Sequence, residues 1–417
     1  MKQKGILREA ATLVSGNILA QVIALAAYFV LTRIYSPDDY GLFNIFYSYI
    51  EVLIILSTCK YELAVVVADD DREAAAVSRF ALRLNTLVSL GLLTIALVLW
   101  LTGALPGNFS QLGWMVLLIP PMVFFCGTSR IYSFLYNRFH RYSQIAISDN
   151  VNAGAGALLK ILLGWLGLSQ SGLPVGTVLG QAASNLNYRL RLRRLALPST
   201  TMADNKAAAR KHRNFPFYVA TKDFVSTFSS NLPFLWLALY FDRAEVGLFG
   251  LALTFTLQPV NLISTAFERV LYTRTAEAVH ARQPIAPMLR RFLLPLAALA
   301  TVACVAAWFV AEPVFAFCFG ERWQGCGPYV QALLPWVLTG FISACMLFIP
   351  NVFSTQRTEF FFYIVMLVLR VAAIITGIGA ANFLLAIRLF AAASATVYVA
   401  LAIWYLWQVR RYDATVR

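Results

Sequence analysis

Apolar runs separated by short polar connections follow one another along the whole chain, as around Leu87–Leu101 and Val397–Trp407. A helix of about 20 apolar residues crosses the roughly 30 Å hydrocarbon layer of a bilayer. The pattern predicts twelve such helices, near 11–31, 41–59, 80–102, 113–136, 144–166, 172–190, 216–240, 247–268, 292–318, 329–353, 359–379 and 383–407. The connections are short and leave no room for a sizeable extramembrane domain. A basic head and a long apolar run open the chain, as in a signal peptide. No small-residue cleavage site follows, so the segment is read as the first, retained span.

The pattern also repeats. YSPDDYGLF at 35–43 and FDRAEVGLF at 241–249 lie 206 residues apart, and Glu62 and Glu268 keep the same spacing. Farther on, Leu118-Ile119-Pro120-Pro121 is answered by Leu334-Pro335-Trp336 in the tenth span. Six spans per half is an even number, so the halves share one orientation and are related by an axis along the membrane normal. The expected fold is an all-α integral membrane protein: about twelve transmembrane helices in two parallel-related six-helix bundles around a central cavity. The N-terminal bundle is expected over 1–190, a cytoplasmic linker over 191–214, and the C-terminal bundle over 215–417. The linker stretch is polar and basic and contains Pro198. Two bundles that rock against each other make a transporter, and an enzyme has no need of that symmetry.

Composition and charge orient this framework. Hydrophobic residues make up 59% and charged residues 13% of the 417, with a mean hydropathy of +0.68. A soluble domain carries about 25% charged residues. Connections on the side of the N-terminus hold 26 Lys and Arg, and those on the other side hold only Arg33, Arg243 and Arg322. By the positive-inside rule both termini are expected in the cytoplasm. The net charge of +14 then reflects topology, with anionic membrane lipids as its partner. The basic residues are too scattered for nucleic-acid binding. Cys59, Cys126, Cys304 and Cys345 read as small apolar packers, whereas Cys318 and Cys326 flank an outside loop and are candidates for a disulfide. His140, His212 and His280 are too dispersed for zinc. No P-loop is present, so neither ATP hydrolysis nor a cofactor is expected. Asp69-Asp70-Asp71 reads as a solvated acidic turn, because no nucleotide-binding context surrounds it.

Three landmarks carry a family resemblance. Arg33 through Phe43 closes the first span with an Arg, an acidic turn and Tyr-Gly-Leu-Phe. Phe319-Gly320-Glu321-Arg322-Trp323 precedes Leu333-Leu334-Pro335. Tyr136-Asn137-Arg138-Phe139-His140-Arg141 and Phe353-Ser354-Thr355-Gln356-Arg357 form polar inside ends of spans four and ten. Over essentially its whole length the chain resembles the Wzx-type O-antigen and polysaccharide flippases of the multidrug/oligosaccharidyl-lipid/polysaccharide exporter superfamily. The resemblance implies a non-enzymatic carrier in the bacterial inner membrane. Such a carrier moves an undecaprenyl-diphosphate-linked oligosaccharide from the cytoplasmic to the periplasmic leaflet, alongside a polysaccharide polymerase and chain-length regulator. The family ties substrate binding to no single motif, so candidate residues are read from physical chemistry.

Five cations fall inside spans: Arg130, Lys160, Lys222, Arg370 and Arg388. Each costs about 2.5–3.5 kcal/mol on insertion scales, which points to a wet or anion-filled cavity. Lys160 and Arg370 lie nearest mid-membrane, in the counterpart spans five and eleven. A diphosphate headgroup suits them, Arg as a bidentate donor and Lys as a point charge. Arg130 and Lys222 near the inside interface, and Arg388 near the outside one, either join that site or snorkel to lipid headgroups. Arg33 is either an exit-site contact or an anchor of its helix end. The span acids are Glu51, Asp149 and Asp223. Lys222 and Asp223 stand about 100° apart on a helix and cannot pair on one face. Asp223 therefore either pairs with a cation on another helix or binds a coupling proton or Na⁺. Ser15, Asn17 and Gln21 on span one, and Ser226, Ser230 and Asn231 on span seven, suit sugar hydroxyls and equally suit interhelical hydrogen bonds. Gly16 and Pro233 are candidate bending points. Two alternatives stay open: a peptidoglycan-precursor lipid flippase, which shares the headgroup chemistry but usually brings fourteen spans, and a multidrug/cation antiporter, which wants an acidic cavity.

Overall fold

The structure, a computed structural model, describes the backbone of residues 2–192, 195 and 197–416. Side chains are described for these apart from 2–15, 17, 266, 269, 270, 276 and 280. All regular structure among the described residues is helical. The first part of the chain forms α1 (Lys2–Ile34), α2 (Pro37–Thr58), α3 (Tyr61–Val67), α4 (Asp71–Leu101), α5 (Asn108–Leu112), α6 (Ile119–Arg138), α7 (Tyr142–Trp165), α8 (Ser169–Leu192) and α9 (Met202–Lys211). The second continues with α10 (Thr221–Trp236), α11 (Arg243–His280), α12 (Ala286–Phe319), α13 (Gly327–Ala344), α14 (Ile349–Val352), α15 (Gln356–Gly379) and α16 (Phe383–Val416).

Every expected span falls on helical structure. Among the described residues, eight helical segments are long and apolar enough to cross a membrane, and they account for the expected spans two to four and eight to twelve. The segments at 144–166, 172–190 and 216–240 are helical but more polar. In the first, the apolar stretch is the shorter Ile18–Ile34. The exposed faces of α4 (Leu87, Leu90, Ile95, Val98, Leu101) and α12 (Leu294, Leu299, Val302, Phe309, Phe317) are apolar, as a lipid-facing surface requires.

The repeated motifs turn out to be helix starts. Ser36 caps α2 by accepting from the Asp39 N–H (3.2 Å), and Asp39 Oδ2 accepts from the Ser36 N–H (2.9 Å). With Pro37 in the first turn, this is a complete capping box. In the second copy Asp242 precedes α11 without a side-chain cap bond, and Glu245 occupies its first turn.

The ends of helices repeat too. His140 after α6 and Ser354 after α14 have φ of 54° and 56°, and Gly167 after α7 and Ala381 after α15 have φ of 82° and 50°. These are left-handed C-terminal caps, in which the next N–H reaches back five residues: Arg141 to Tyr136, Thr355 to Pro350, Leu168 to Leu163 and Asn382 to Gly377. Both pairs are 214 residues apart, so the spacing lengthens by eight between the second and fourth spans of each half. The longer spacing also aligns packing: Gly172 lies against Leu163, and Ala386 against Gly377.

The chain divides into two compact units, 1–228 and 229–417, with the boundary inside α10. The stretch expected to be only a linker holds α9, started by a Thr201–Asp204 capping box. Its Ala208 and Ala209 join an apolar core with Ala76, Val77, Tyr136 and Tyr188, and so it belongs to the first unit. In the second unit Leu271, Leu289, Phe348, Met366, Leu401 and Tyr405 form the corresponding core. Pro233 lies within α10, which tightens to a 3₁₀ turn at Leu237–Leu239. α1 passes Gly16 unbroken, and a Cβ there would collide with Ala146. Gly16 therefore serves close approach to α7 rather than bending. Cys318 and Cys326 are both free; Cys326 is buried, with its thiol toward the Leu248 carbonyl at 3.4 Å.

Candidate functional site

Lys160 sits on α7 in the first unit, half-buried, with its ammonium 5.3 Å from the centre of the Phe43 ring. The Tyr35 hydroxyl donates to the Lys160 carbonyl at 2.7 Å, and Gly176 of α8 leaves room for the lysine stem. Among the described residues it forms no ion pair with a carboxylate. An unpaired ammonium beside an aromatic face keeps its attraction for an incoming anion.

Arg370 on α15 lies inside the second unit at 1% exposure. Its Nε donates to Ser394 Oγ of α16 (2.9 Å), and Nη1 donates to Ser229 Oγ (3.1 Å) and Ser230 Oγ (3.2 Å) of α10. Trp336 and Phe390 cover it at 5.1 and 4.6 Å from the ring centres. The expectation of a cation open to a cavity is thus replaced by one enclosed among hydroxyls and rings. The 214-residue spacing explains why Lys160 and Arg370 differ. Arg370 and Ser394 correspond to Gly156 and Gly180, where α7 and α8 touch backbone to backbone, and Lys160 corresponds to Ile374. The two cations share counterpart helices but not a counterpart position.

Asp223 has a cation on another element: Lys60 Nζ lies 2.7 Å from its Oδ2, with side-chain exposures of 15% and 36%. Lys60 follows α2 in a tight reversal in which Cys59 (φ 46°) and Lys60 (φ 60°) are both left-handed. Two consecutive non-glycine residues there are strained, and the ion pair fastens the reversal to α10. Sequence reasoning did not select Lys60, because it sits in a connection full of unremarkable polar residues.

The remaining candidates lie on several helices of the two units. Arg33, Arg130 and Arg388 are exposed, and Lys222 is half-buried. Glu51 and Arg130 both lie within electrostatic reach of Tyr47. Asp149 is half-buried on α7, one residue from Ser148, which accepts hydrogen bonds from Gln144 and Asn187. Gln21 buries its Oε1 without a partner, and Asn231 is buried. The Asn17 side chain falls outside the described residues. Elsewhere in the first unit Gln181 and Asn185 both donate to Ser129, at 2.8 and 2.9 Å. This favours the interhelical hydrogen-bonding role for buried amides.

At the polar end of the first unit, the Asp69–Asp71 turn is structural. Asp70 caps α4 through the Glu73 N–H (2.7 Å), Asp71 pairs with Arg138 (3.1 Å), and Lys211 bridges Asp69 and Glu73, each at 2.7 Å. Hydrogen bonds from Lys211 to Asp69 and Glu73 hold its ammonium above the ordinary lysine value. The Thr201 N–H and the Arg72 guanidinium hold the Asp204 carboxyl below the usual range.

Known proteins place this architecture. The family described as polysaccharide biosynthesis protein matches residues 30–328. An inward-facing multidrug resistance MATE family transporter of the MOP superfamily superposes with a TM-score of 0.69 at 14% identity, over 95% of this chain and 96% of that one. The lipid II flippase MurJ, in an inward closed conformation, gives a TM-score of 0.74 at 12% identity, over 97% and 89%. A MOP superfamily transporter from Pyrococcus furiosus gives 0.67 at 12%, over 98% and 96%. No curated protein matches the chain. At these identities the solved structures establish the fold, which is that of the MOP transporters. The chain belongs to the polysaccharide biosynthesis protein family and is a multi-pass membrane protein with this fold.

Proposed function

We propose that this protein is a flippase for polyprenyl-diphosphate-linked oligosaccharide, the repeat unit of an O-antigen or exopolysaccharide. It acts by alternating access, and undecaprenyl is the lipid in the resembling family. The observation that carries this reading is Lys160, a half-buried cation on α7 with no carboxylate partner among the described residues, in a chain of a polysaccharide biosynthesis family. The chain binds the headgroup electrostatically at Lys160, with Arg130, Lys222, Arg388 and Arg33 as further contacts along the route. The prenyl tail stays in lipid. Both termini lie in the cytoplasm of a bacterial inner membrane, where the basic connections face anionic lipid. A polymerase and a chain-length regulator act on the product. The two six-helix bundles are proposed as 1–190 and 215–417, joined by the cytoplasmic linker 191–214, whose α9 packs on the core of the first unit.

The test is translocation of a polyprenyl-diphosphate glycan across reconstituted vesicles. Lys160→Gln is expected to slow it at least about tenfold, while Lys160→Arg, which keeps the charge, retains most of it. A Lys160→Gln protein that folds and transports at the wild-type rate removes the assignment. The likeness to MurJ favours a second reading, a peptidoglycan-precursor lipid as cargo. Offering both lipids to the same vesicles separates the two, since they share the polyprenyl diphosphate and differ in the group it carries.

A further inference from the structure

Arg370 keeps its charge, because a guanidinium does not deprotonate in a protein. Its three acceptors, Ser229, Ser230 and Ser394, are neutral, and no carboxylate pairs with it among the described residues. Nη2 is buried and has no hydrogen-bond partner among the described residues. The rings of Trp336 and Phe390 offset part of the charge, but an enclosed cation with an idle donor remains uncompensated. Packing does not demand this arrangement: at the corresponding place in the first unit, Gly156 and Gly180 close the same helix contact. Within the second unit, Trp336 also walls a cavity of about 240 Å³ together with Asn261, Gly340, Tyr363 and Tyr398.

We propose that Arg370 holds a small monovalent inorganic anion of chloride size at Nη2. One positive charge among neutral hydroxyls calls for one negative charge. At 1% exposure the site takes no phosphate ester or sugar acid. The anion completes the guanidinium and ties α10, α15 and α16 together. This site stands apart from the headgroup contacts and does not depend on the transport reading.

The test uses the purified full-length protein in detergent. Its melting temperature is followed as sodium gluconate is exchanged for sodium chloride at constant ionic strength. A ligand bound only by the folded state raises stability with its concentration, so the wild type is expected to melt several degrees higher in chloride, with saturation. Arg370→Gln and Arg370→Met are expected to lose this dependence. Equal melting of the wild type in both salts, a chloride effect persisting in either variant, or an equal rise with sulfate overturns the proposal. Should neither variant fold, wild-type crystals grown in bromide decide through anomalous scattering. A peak at hydrogen-bonding distance from Nη2 supports the site, and an empty position overturns it.

Discussion

Lys60 and Asp223 show how a single ion pair acts on the backbone around it. The reversal between α2 and α3 spends two consecutive residues, Cys59 and Lys60, in the left-handed region, at a cost of roughly 1–2 kcal/mol each for L residues. The Lys60 ammonium is mostly shielded, and its partner at 2.7 Å reaches over from α10. Asp223→Ala leaves a half-desolvated lysine unpaired and releases that fastening. It is expected to destabilise the first unit by about 1–2 kcal/mol, discounted for the exposure of the carboxylate. Thermal unfolding in detergent reads this directly, and Asp223→Glu should recover part of the loss. The same pairing argues against Asp223 as the site of a coupling ion, since its carboxylate already has a cation.

From the end of the fourth span of each half, helix contacts in the two units answer each other at a 214-residue register, and that register sets what each tolerates. A Cβ on Gly180 would meet Gly156 Cα at 2.6 Å and its N at 2.8 Å, backbone that cannot move aside like a side chain. Gly180→Ala is therefore expected to cost about 1–3 kcal/mol and to separate α7 from α8, read as lower thermal stability. At the polar end, the Thr201–Asp204 box starts α9. Thr201→Ala should cost about 1 kcal/mol of that helix, seen as faster proteolysis between 197 and 212. Asp204 carries its own pH dependence. Its folded carboxyl is held below the unfolded value, so its contribution is full above the unfolded value and is lost as pH falls through the folded one. The apolar spans were legible in the sequence because lipid fixes how long a run must be. α2 starts at Pro37, four residues before the expected 41, because Ser36, Pro37 and Asp39 form a cap that hydropathy alone does not register. The 214-residue register was hidden, since Gly156 and Gly180 share no side-chain pattern with Arg370 and Ser394. Hydropathy placed Arg370 in an apolar run but not the direction in which it points, so its enclosure by Ser229, Ser230 and Trp336 required the fold.

For the whole molecule, charge decides the direction of work. Nothing in the chain supplies ATP-binding chemistry of the P-loop kind, and the proposed cargo brings about two negative charges on its diphosphate. An interior-negative membrane potential acts on each charge with about 2.3 kcal/mol per 100 mV. Outward movement of the headgroup is then favoured by roughly 4–5 kcal/mol at about 100 mV, provided its charge is not cancelled by cations that move with it. In the proposed function Lys160, fixed to α7, lowers the cost of bringing the diphosphate into the membrane without joining the cargo. In vesicles loaded with a polyprenyl-diphosphate glycan on the inner leaflet, a potassium gradient with valinomycin sets the potential. An interior-negative potential is expected to speed appearance of the glycan outside, and an interior-positive one to slow it. Lys160→Gln should depress the rate at every voltage while leaving that dependence in place. A rate indifferent to voltage would mean that counter-ions accompany the headgroup or that an ion gradient drives the cycle. Repeating the measurement with H⁺ and Na⁺ gradients at zero potential then identifies which.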